Sequence, residues 1–104
     1  MQIQLLYFRG CPHVEAARQA LAQALRAVED PPPVAEIDVT DPSTPVELRA
    51  WGSPTILIDG VDVTGGEASG SSCRLYPDSD RKGAPPLAAI QSALQRRARE
   101  NARP

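Results

Sequence analysis

Cys11 is the residue of this chain whose side chain is most suited to chemical reaction. It follows a short apolar segment and directly precedes Pro12. The length of segment 3–8 and its Tyr and Phe content favour a buried strand, and Pro12 suits the first turn of a helix, where its missing N–H is no loss. Unpaired N–H groups and the positive dipole end of such a helix stabilise a thiolate. We therefore predict that Cys11 is a reactive nucleophile and soft-metal ligand, the alternative being a buried apolar cysteine.

Two basic residues flank this cysteine closely in the sequence, Arg9 and His13. Either could add positive charge beside the thiolate. His13 is a candidate catalytic residue, because an imidazole near neutral pH can stabilise an anion or relay a proton. The alternative is an exposed histidine in the first turn of a helix.

The second cysteine, Cys73, lies in the Gly- and Ser-rich segment 65–83. A loop of this length is expected to be functional or flexible, and the neighbouring Arg74 favours a thiolate at Cys73. A disulfide with Cys11 requires Cα atoms within about 7 Å, which the sequence leaves open. The alternative is a loop cysteine packed under its apolar neighbours.

Composition sets broad limits on the class of protein. The chain has 104 residues, a net charge of -2 and a single histidine, which suits one domain and argues against a basic surface for nucleic acid or a His-rich metal site. No apolar stretch approaches the roughly 18 residues of a membrane span, and no secretory signal is visible. We therefore expect a cytoplasmic protein without nucleic-acid or membrane partners.

Periodicity and turn signals predict seven elements in the order strand, helix, strand, helix, strand, strand, helix. Residues 44–47, Thr-Pro-Val-Glu, match a capping box with proline at the first helical position, and Asp59-Gly60 is a strong hairpin signal. The predicted ranges are strands Ile3–Phe8, Val34–Val39, Thr55–Ile58 and Val61–Thr64, and helices Pro12–Val28, Thr44 to about Trp51, and Pro85 to about Arg99, the last with Leu87, Ile90, Leu94 and Ala98 facing inward.

These elements predict a single α/β domain over residues 1–104, with a four-stranded mixed sheet and helices on both faces. The first strand-helix-strand unit gives a parallel pair, and the hairpin adds an antiparallel one. Residues 65–83 are expected to be a long flexible loop, and residues 100–104 a frayed tail.

Four features together resemble the thioredoxin-like superfamily and span nearly the whole chain: residues 7–13 (Tyr-Phe-Arg-Gly-Cys-Pro-His), residues 53–55 (Ser-Pro-Thr), Asp59-Gly60 and Gly65-Gly66. The resemblance implies a thioredoxin-like three-layer sandwich with Cys11 as the active thiol. It also implies that Pro54 is a cis-proline beside that cysteine, and that the backbone of Ser53 is exposed to pair with an extended peptide or glutathione. Pro12 would belong to the same substrate-binding surface.

Position 14 is valine, where the thioredoxin pattern has a second cysteine. In this respect the chain is similar to glutaredoxins with one active cysteine, which use glutathione. Gly65-Gly66 resembles the glutaredoxin diglycine, so Gly65, Gly66 and Glu67 are candidate glutathione-binding residues, the alternative being a flexible turn. No resident cofactor is required, and glutathione is the implied co-substrate.

Short segments around Cys11, Pro54, Cys73 and Gly83 also resemble small bacterial thioredoxin-like proteins labelled as related to alkylmercury lyase. The sequence therefore predicts a thiol–disulfide oxidoreductase that uses Cys11, with Cys73 or glutathione as the resolving thiol. One alternative is a protein that binds a soft ion, Hg(II) or Cu(I), or an organomercurial, through Cys11 and Cys73. Another is a module that keeps the fold without redox activity.

Overall fold

The structure is a computed structural model that describes residues 1–68, 74, 76 and 83–101. Its elements follow the predicted order. They are β1 (Ile3–Tyr7), α1 (Val14–Leu25), β2 (Val34–Asp38), α2 (Val46–Arg49), β3 (Thr55–Ile58), β4 (Val61–Asp62) and α3 (Leu87–Asn101).

The four strands form one mixed sheet in the order β2-β1-β3-β4. β1 pairs in parallel with β2 and antiparallel with β3, with Leu6 opposite Thr55. β3 pairs antiparallel with β4. The α/β class and the mixed four-stranded sheet are confirmed, and β1 and β3 form its centre, where all four residues of β3 are buried.

Apolar side chains on the two faces of the sheet belong to two separate clusters, because successive residues of a strand point to opposite sides. On one face, Leu5 and Ile56 pack with residues of α1 and α3. On the other, Leu6 and Leu57 pack with Val39 and, around α2, with Leu48 and Trp51. The sheet is therefore covered by helices on both faces.

The two long helices each bury one apolar stripe. α1 buries Val14, Ala17, Leu21 and Ala24, and α3 buries Ile90, Ala93 and Leu94. Ala98 was predicted to face inward but is exposed, since it lies one helical turn beyond Leu94, the last residue of α3 described as buried. α3 continues to Asn101, past the predicted start of the frayed tail, and residues 102–104 lie outside the described part of the chain.

Turn residues define the hairpin between β3 and β4. Asp59 has φ +50° and Gly60 has φ +82°, which are the two left-handed conformations of a type I′ turn. The predicted hairpin is confirmed, although β4 ends at Asp62 instead of Thr64.

The predicted capping box at the start of α2 is wrong. Pro45 is the N-cap residue and no side chain caps the helix. The hydroxyl of Thr44, which is buried, instead donates to the carbonyl of Asp38 at 2.7 Å. A tertiary hydrogen bond has replaced the local one.

Within the residues that the structure describes, no helix is both long enough and apolar enough to cross a membrane.

Candidate functional site

Cys11 lies in the connection between β1 and α1. Its N–H donates to the carbonyl of Phe8 at 3.2 Å, and Gly10 has φ +83°, so residues 8–11 form a β-turn that needs glycine at its third position. The side chain of Cys11 is partly exposed, is a free thiol and packs against the core cluster of α1 and α3. Cys11 therefore combines a fixed backbone with solvent access.

α1 begins at Val14, with His13 as its N-cap residue. Pro12 was predicted to lie in the first turn of the helix, but it lies in a turn that precedes the helix. Cys11 was predicted to lie at or near the N-cap, and it lies two residues before the N-cap residue His13.

The side chain of His13 packs directly on the backbone of Gly83. Gly83 begins the described segment that leads into α3. A Cβ atom at position 83 would lie 2.1 Å from Cγ of His13 and 2.2 Å from its Cδ2. Position 83 must therefore be glycine for the imidazole to lie where it does. The sequence predicted that His13 is either a catalytic residue or an exposed one, and this contact shows that its ring packs against the chain. Sequence reasoning assigned no role to Gly83, and the glycine of Gly83-Ala84-Pro85 was the only available signal.

Ser53 and Pro54 lie at the start of β3, beside the turn that carries Cys11. The peptide bond between them is cis, which confirms that expectation. The Oγ of Ser53 accepts a hydrogen bond from the N–H of Phe8 at 3.3 Å. This bond ties the start of β3 to the first residue of the Cys11 turn.

The expectation that the Ser53 backbone is open to a substrate is wrong. Ser53 has no exposed surface, and its carbonyl accepts a hydrogen bond from the backbone N–H of Arg74 at 2.8 Å. The next carbonyl, that of Pro54, accepts one from the hydroxyl of Tyr76 at 2.6 Å. Residues of this same chain already use both carbonyls.

We call Arg74 and Tyr76 the arginine–tyrosine clamp. The guanidinium carbon of Arg74 lies over the rings of Trp51 and Tyr76, at 5.9 and 4.7 Å from their centroids. It donates to Oγ1 of Thr55 at 3.0 Å and to Oδ2 of Asp62 at 3.0 Å. Burial raises the pKa of Tyr76 to about 12, so at neutral pH its hydroxyl is protonated and can donate.

Asp62 is the buried anion that holds this cluster together. Its side chain has no exposed surface and forms an ion pair with Arg74, and its Oδ2 also accepts from Oγ1 of Thr64 at 2.7 Å and from N–H of Gly66 at 2.9 Å. A buried charge is tolerated when it is paired and hydrogen-bonded in this way. Sequence reasoning missed the pair because its members are 12 residues apart and Arg74 is described outside any helix or strand, although an acidic residue in a short strand was a signal for it.

Gly65, Gly66 and Glu67 are exposed. Gly65 has φ +76°, and a Cβ atom on Gly66 would lie 2.8 Å from Oδ2 of Asp62 and 2.9 Å from Nη2 of Arg74. Gly66 therefore has a structural role in seating this ion pair. Glutathione binding by these residues stays a prediction.

The guanidinium of Arg9 is paired with a carboxylate. Its Nε lies 3.4 Å from Oδ2 of Asp38, and 90% of its side chain is exposed. Hydrogen bonds from Thr40, together with Arg9, hold the pKa of Asp38 below its ordinary value. Arg9, which was expected to add positive charge beside the thiolate, thus shares its charge with Asp38.

Cys73 lies outside the described residues, so its pairing with Cys11 stays a prediction. Across residues 1–68, 74, 76 and 83–101, no group of three or more His, Cys, Asp or Glu side chains could hold a metal ion. The two-thiolate capture of a soft ion also stays a prediction.

Comparison with protein-family models, with curated proteins and with solved structures gave no match.

Proposed function

We propose that this chain is a thioredoxin-like redox protein in which Cys11 carries out thiol–disulfide exchange. The observation that carries the proposal is the position of Cys11. It is partly exposed in the turn between β1 and α1, and the Phe8–Ser53 hydrogen bond joins that turn to the start of β3. The strand order and the mixed sheet are compatible with the thioredoxin-like resemblance of the sequence.

The chemistry needs a thiolate at Cys11. This thiolate attacks one sulfur of a disulfide, a new S–S bond forms, and the other sulfur leaves as a thiolate that takes up a proton. A second thiolate then attacks the mixed disulfide and regenerates the Cys11 thiolate. The substrate disulfide is reduced, and the resolving thiols are oxidised to a disulfide.

The resolving thiol comes from outside the first turn of α1. Position 14 is a buried valine that belongs to the core, so a local pair of cysteines cannot form. Glutathione or Cys73 must supply the second thiolate, and glutathione does so without any change in this chain.

His13 is the residue best placed to assist these steps. Its ring is held on Gly83, and it lies two positions from Cys11. As a cation it stabilises the Cys11 thiolate, and as an acid it protonates the leaving thiolate.

A glutathione-coupled reductase assay with bis(2-hydroxyethyl) disulfide tests the function. We expect turnover in the native protein and its loss in Cys11→Ser, since the serine hydroxyl is not a nucleophile at neutral pH. The matched variant Cys73→Ser keeps turnover if glutathione resolves the mixed disulfide and loses it if Cys73 does. Unchanged turnover in Cys11→Ser would contradict the proposal.

A further inference from the structure

The short helix α2 presents an apolar side chain to solvent. None of its four residues is buried, and Leu48 is the one that packs against the sheet, in the cluster of Leu6 and Leu57. Val46 leaves 69% of its surface exposed, more than any other large apolar residue described. A single exposed valine is ordinary on a protein surface, so the surroundings of Val46 decide whether it has a partner.

Val46 stands beside a groove between α2 and the segment that follows β2. The groove has a volume of about 460 Å³ and is lined by Val39 and Thr40 after β2 and by Val46, Arg49 and Ala50 at α2. It is open to solvent, whereas a small-molecule pocket encloses most of its ligand. An exposed apolar side chain beside an open groove therefore suits contact with another protein surface.

Two opposite charges flank the exposed side of α2. Successive residues of a helix are rotated by about 100°, so Glu47 and Arg49 lie about 80° to either side of the line that joins Val46 and Ala50. Ala50, the C-cap residue, keeps helical dihedral angles. Both charged residues are exposed, and across residues 1–68, 74, 76 and 83–101 neither side chain has a hydrogen-bond or ion-pair partner.

This charge pattern is complementary to itself in one orientation. When two copies of α2 face each other and run in the same direction about a two-fold axis, Glu47 of each copy faces Arg49 of the other. The two charges are then offset by only about 3 Å along the helix, because the rise is about 1.5 Å per residue. In the antiparallel orientation like charges would face each other. Flanking charges select the orientation of paired helices in the same way in coiled coils.

We propose that the exposed side of α2 and the adjoining groove form the contact between two copies of this chain in a two-fold dimer with parallel α2 helices. The Val46 side chains meet at the centre of the contact. Glu47 of the second copy enters the groove at Arg49, since Arg49 lines the groove and Glu47 does not. A two-fold contact uses the same surface on both copies, so the assembly closes at the dimer.

Two properties of the chain favour a second copy as the occupant. Its net charge is only -2, so the electrostatic repulsion between two copies is small. The exposed valine and the groove also lie side by side on one surface, as a contact about a two-fold axis requires. The inference goes beyond the proposed redox function and does not depend on Cys11.

Sedimentation equilibrium of the full chain tests the proposal, with a reducing agent present to prevent intermolecular disulfides. We expect a monomer–dimer equilibrium. Glu47→Arg and Arg49→Glu should each weaken dimerisation about tenfold, because either change turns two attractive contacts of the dimer into repulsive ones. Arg26→Glu is the matched control, since Arg26 is an exposed residue at the end of α1. It should leave the dimerisation constant unchanged.

A mixture of the two charge variants separates pairing between copies from damage within one copy. An equimolar mixture of Glu47→Arg and Arg49→Glu restores opposite charges across the contact, so it should dimerise about as strongly as the native protein. If either variant does not fold, the chain that carries both substitutions provides the same test. Val46→Ser, at a mostly exposed position, should weaken dimerisation without any change in charge.

Three results would overturn the proposal. The first is a monomer at every concentration up to about 1 mM, where even weak complexes form, and it would leave the groove to a different partner. The second is a dimer of native strength in both charge variants, because the two copies would then meet elsewhere or with antiparallel helices. The third is a mixture that associates no more strongly than its separate components.

Discussion

Gly83 shows how one missing side chain can position a residue near the candidate nucleophile. A Cβ atom there would overlap the His13 ring, so the imidazole and the backbone before α3 fit only with glycine. His13 and Gly83 are distant in the sequence, and the contact depends on the docking of α3. For this reason Cys11 could be singled out from the sequence, whereas the partner of His13 could not.

The variant Gly83→Ala is expected to displace His13 and to reduce the free energy of unfolding by about 1–3 kcal/mol, the usual cost of overpacking. Urea denaturation measures the stability, and NMR of the imidazole resonances reports the displacement. Gly65→Ala is the control, because Gly65 has positive φ but open space around its Cβ position. It should lose about 1 kcal/mol through backbone strain without moving the His13 signals. Unshifted His13 resonances in Gly83→Ala would contradict the contact.

At the scale of elements, local sequence patterns predicted the structure correctly where no tertiary hydrogen bond competed with the local one. The Asp59-Gly60 hairpin was predicted, because two left-handed residues in sequence specify that turn. The start of α2 was not, because the hydroxyl of Thr44 bonds to the carbonyl of Asp38 instead of capping the helix. At the start of α2, a tertiary hydrogen bond to Asp38 thus replaced the capping hydrogen bond that the local sequence favours.

Asp59, in the turn between β3 and β4, joins the residue before β1 to α3, since it accepts hydrogen bonds from the N–H of Gln2 at 2.7 Å and from Nε of Arg97 at 2.9 Å. The Gln2 N–H, followed by Arg97, holds the pKa of Asp59 below its ordinary value of 3.8. The resulting stability is present above that value and is lost as the pH falls through the lowered pKa. Asp59→Asn should therefore reduce the free energy of unfolding at pH 7 by about 1–2 kcal/mol, and by less below pH 3.

Urea denaturation at both pH values checks this prediction. Asp30→Asn is a matched control, because Asp30 also has positive φ, at +49°, and is exposed. It should leave the stability unchanged at either pH. A deficit in Asp59→Asn that is the same at pH 7 and pH 3 would contradict the electrostatic explanation.

Tyr76 gives the clamp a signature at alkaline pH. Burial raises its pKa to about 12, so the protonated hydroxyl stabilises the folded state below pH 10, and this contribution is lost between pH 10 and about 12. In Tyr7→Phe, which leaves Tyr76 as the remaining tyrosine, the phenolate absorbance should appear only near pH 12 or on unfolding. Tyr76→Phe is the comparison that lacks this late step. Phenolate absorbance from Tyr76 near pH 10 in the folded protein would contradict its burial.

At the scale of the whole molecule, periodicity and the hairpin were sufficient to predict an α/β chain with a mixed four-stranded sheet. They could not predict the arginine–tyrosine clamp. The clamp brings Arg74 against the start of β3 and the buried Asp62 of β4, and no local pattern encodes contacts between separate segments. Cys11, Ser53 and Pro54 could therefore be chosen from the sequence, but the covered state of Ser53 could not.

We expect the fold to make Cys11 a more reactive thiol than an ordinary cysteine. The most direct measurement is the rate of exchange with bis(2-hydroxyethyl) disulfide at pH 7, followed by intact mass, for the Cys73→Ser protein in its folded state and in urea. We expect the folded protein to form the mixed disulfide at least about tenfold faster, because the fold holds Cys11 partly exposed just before the N-terminus of α1. Equal rates in the two states would contradict the claim, since Cys11 would then behave as an ordinary cysteine on this scaffold.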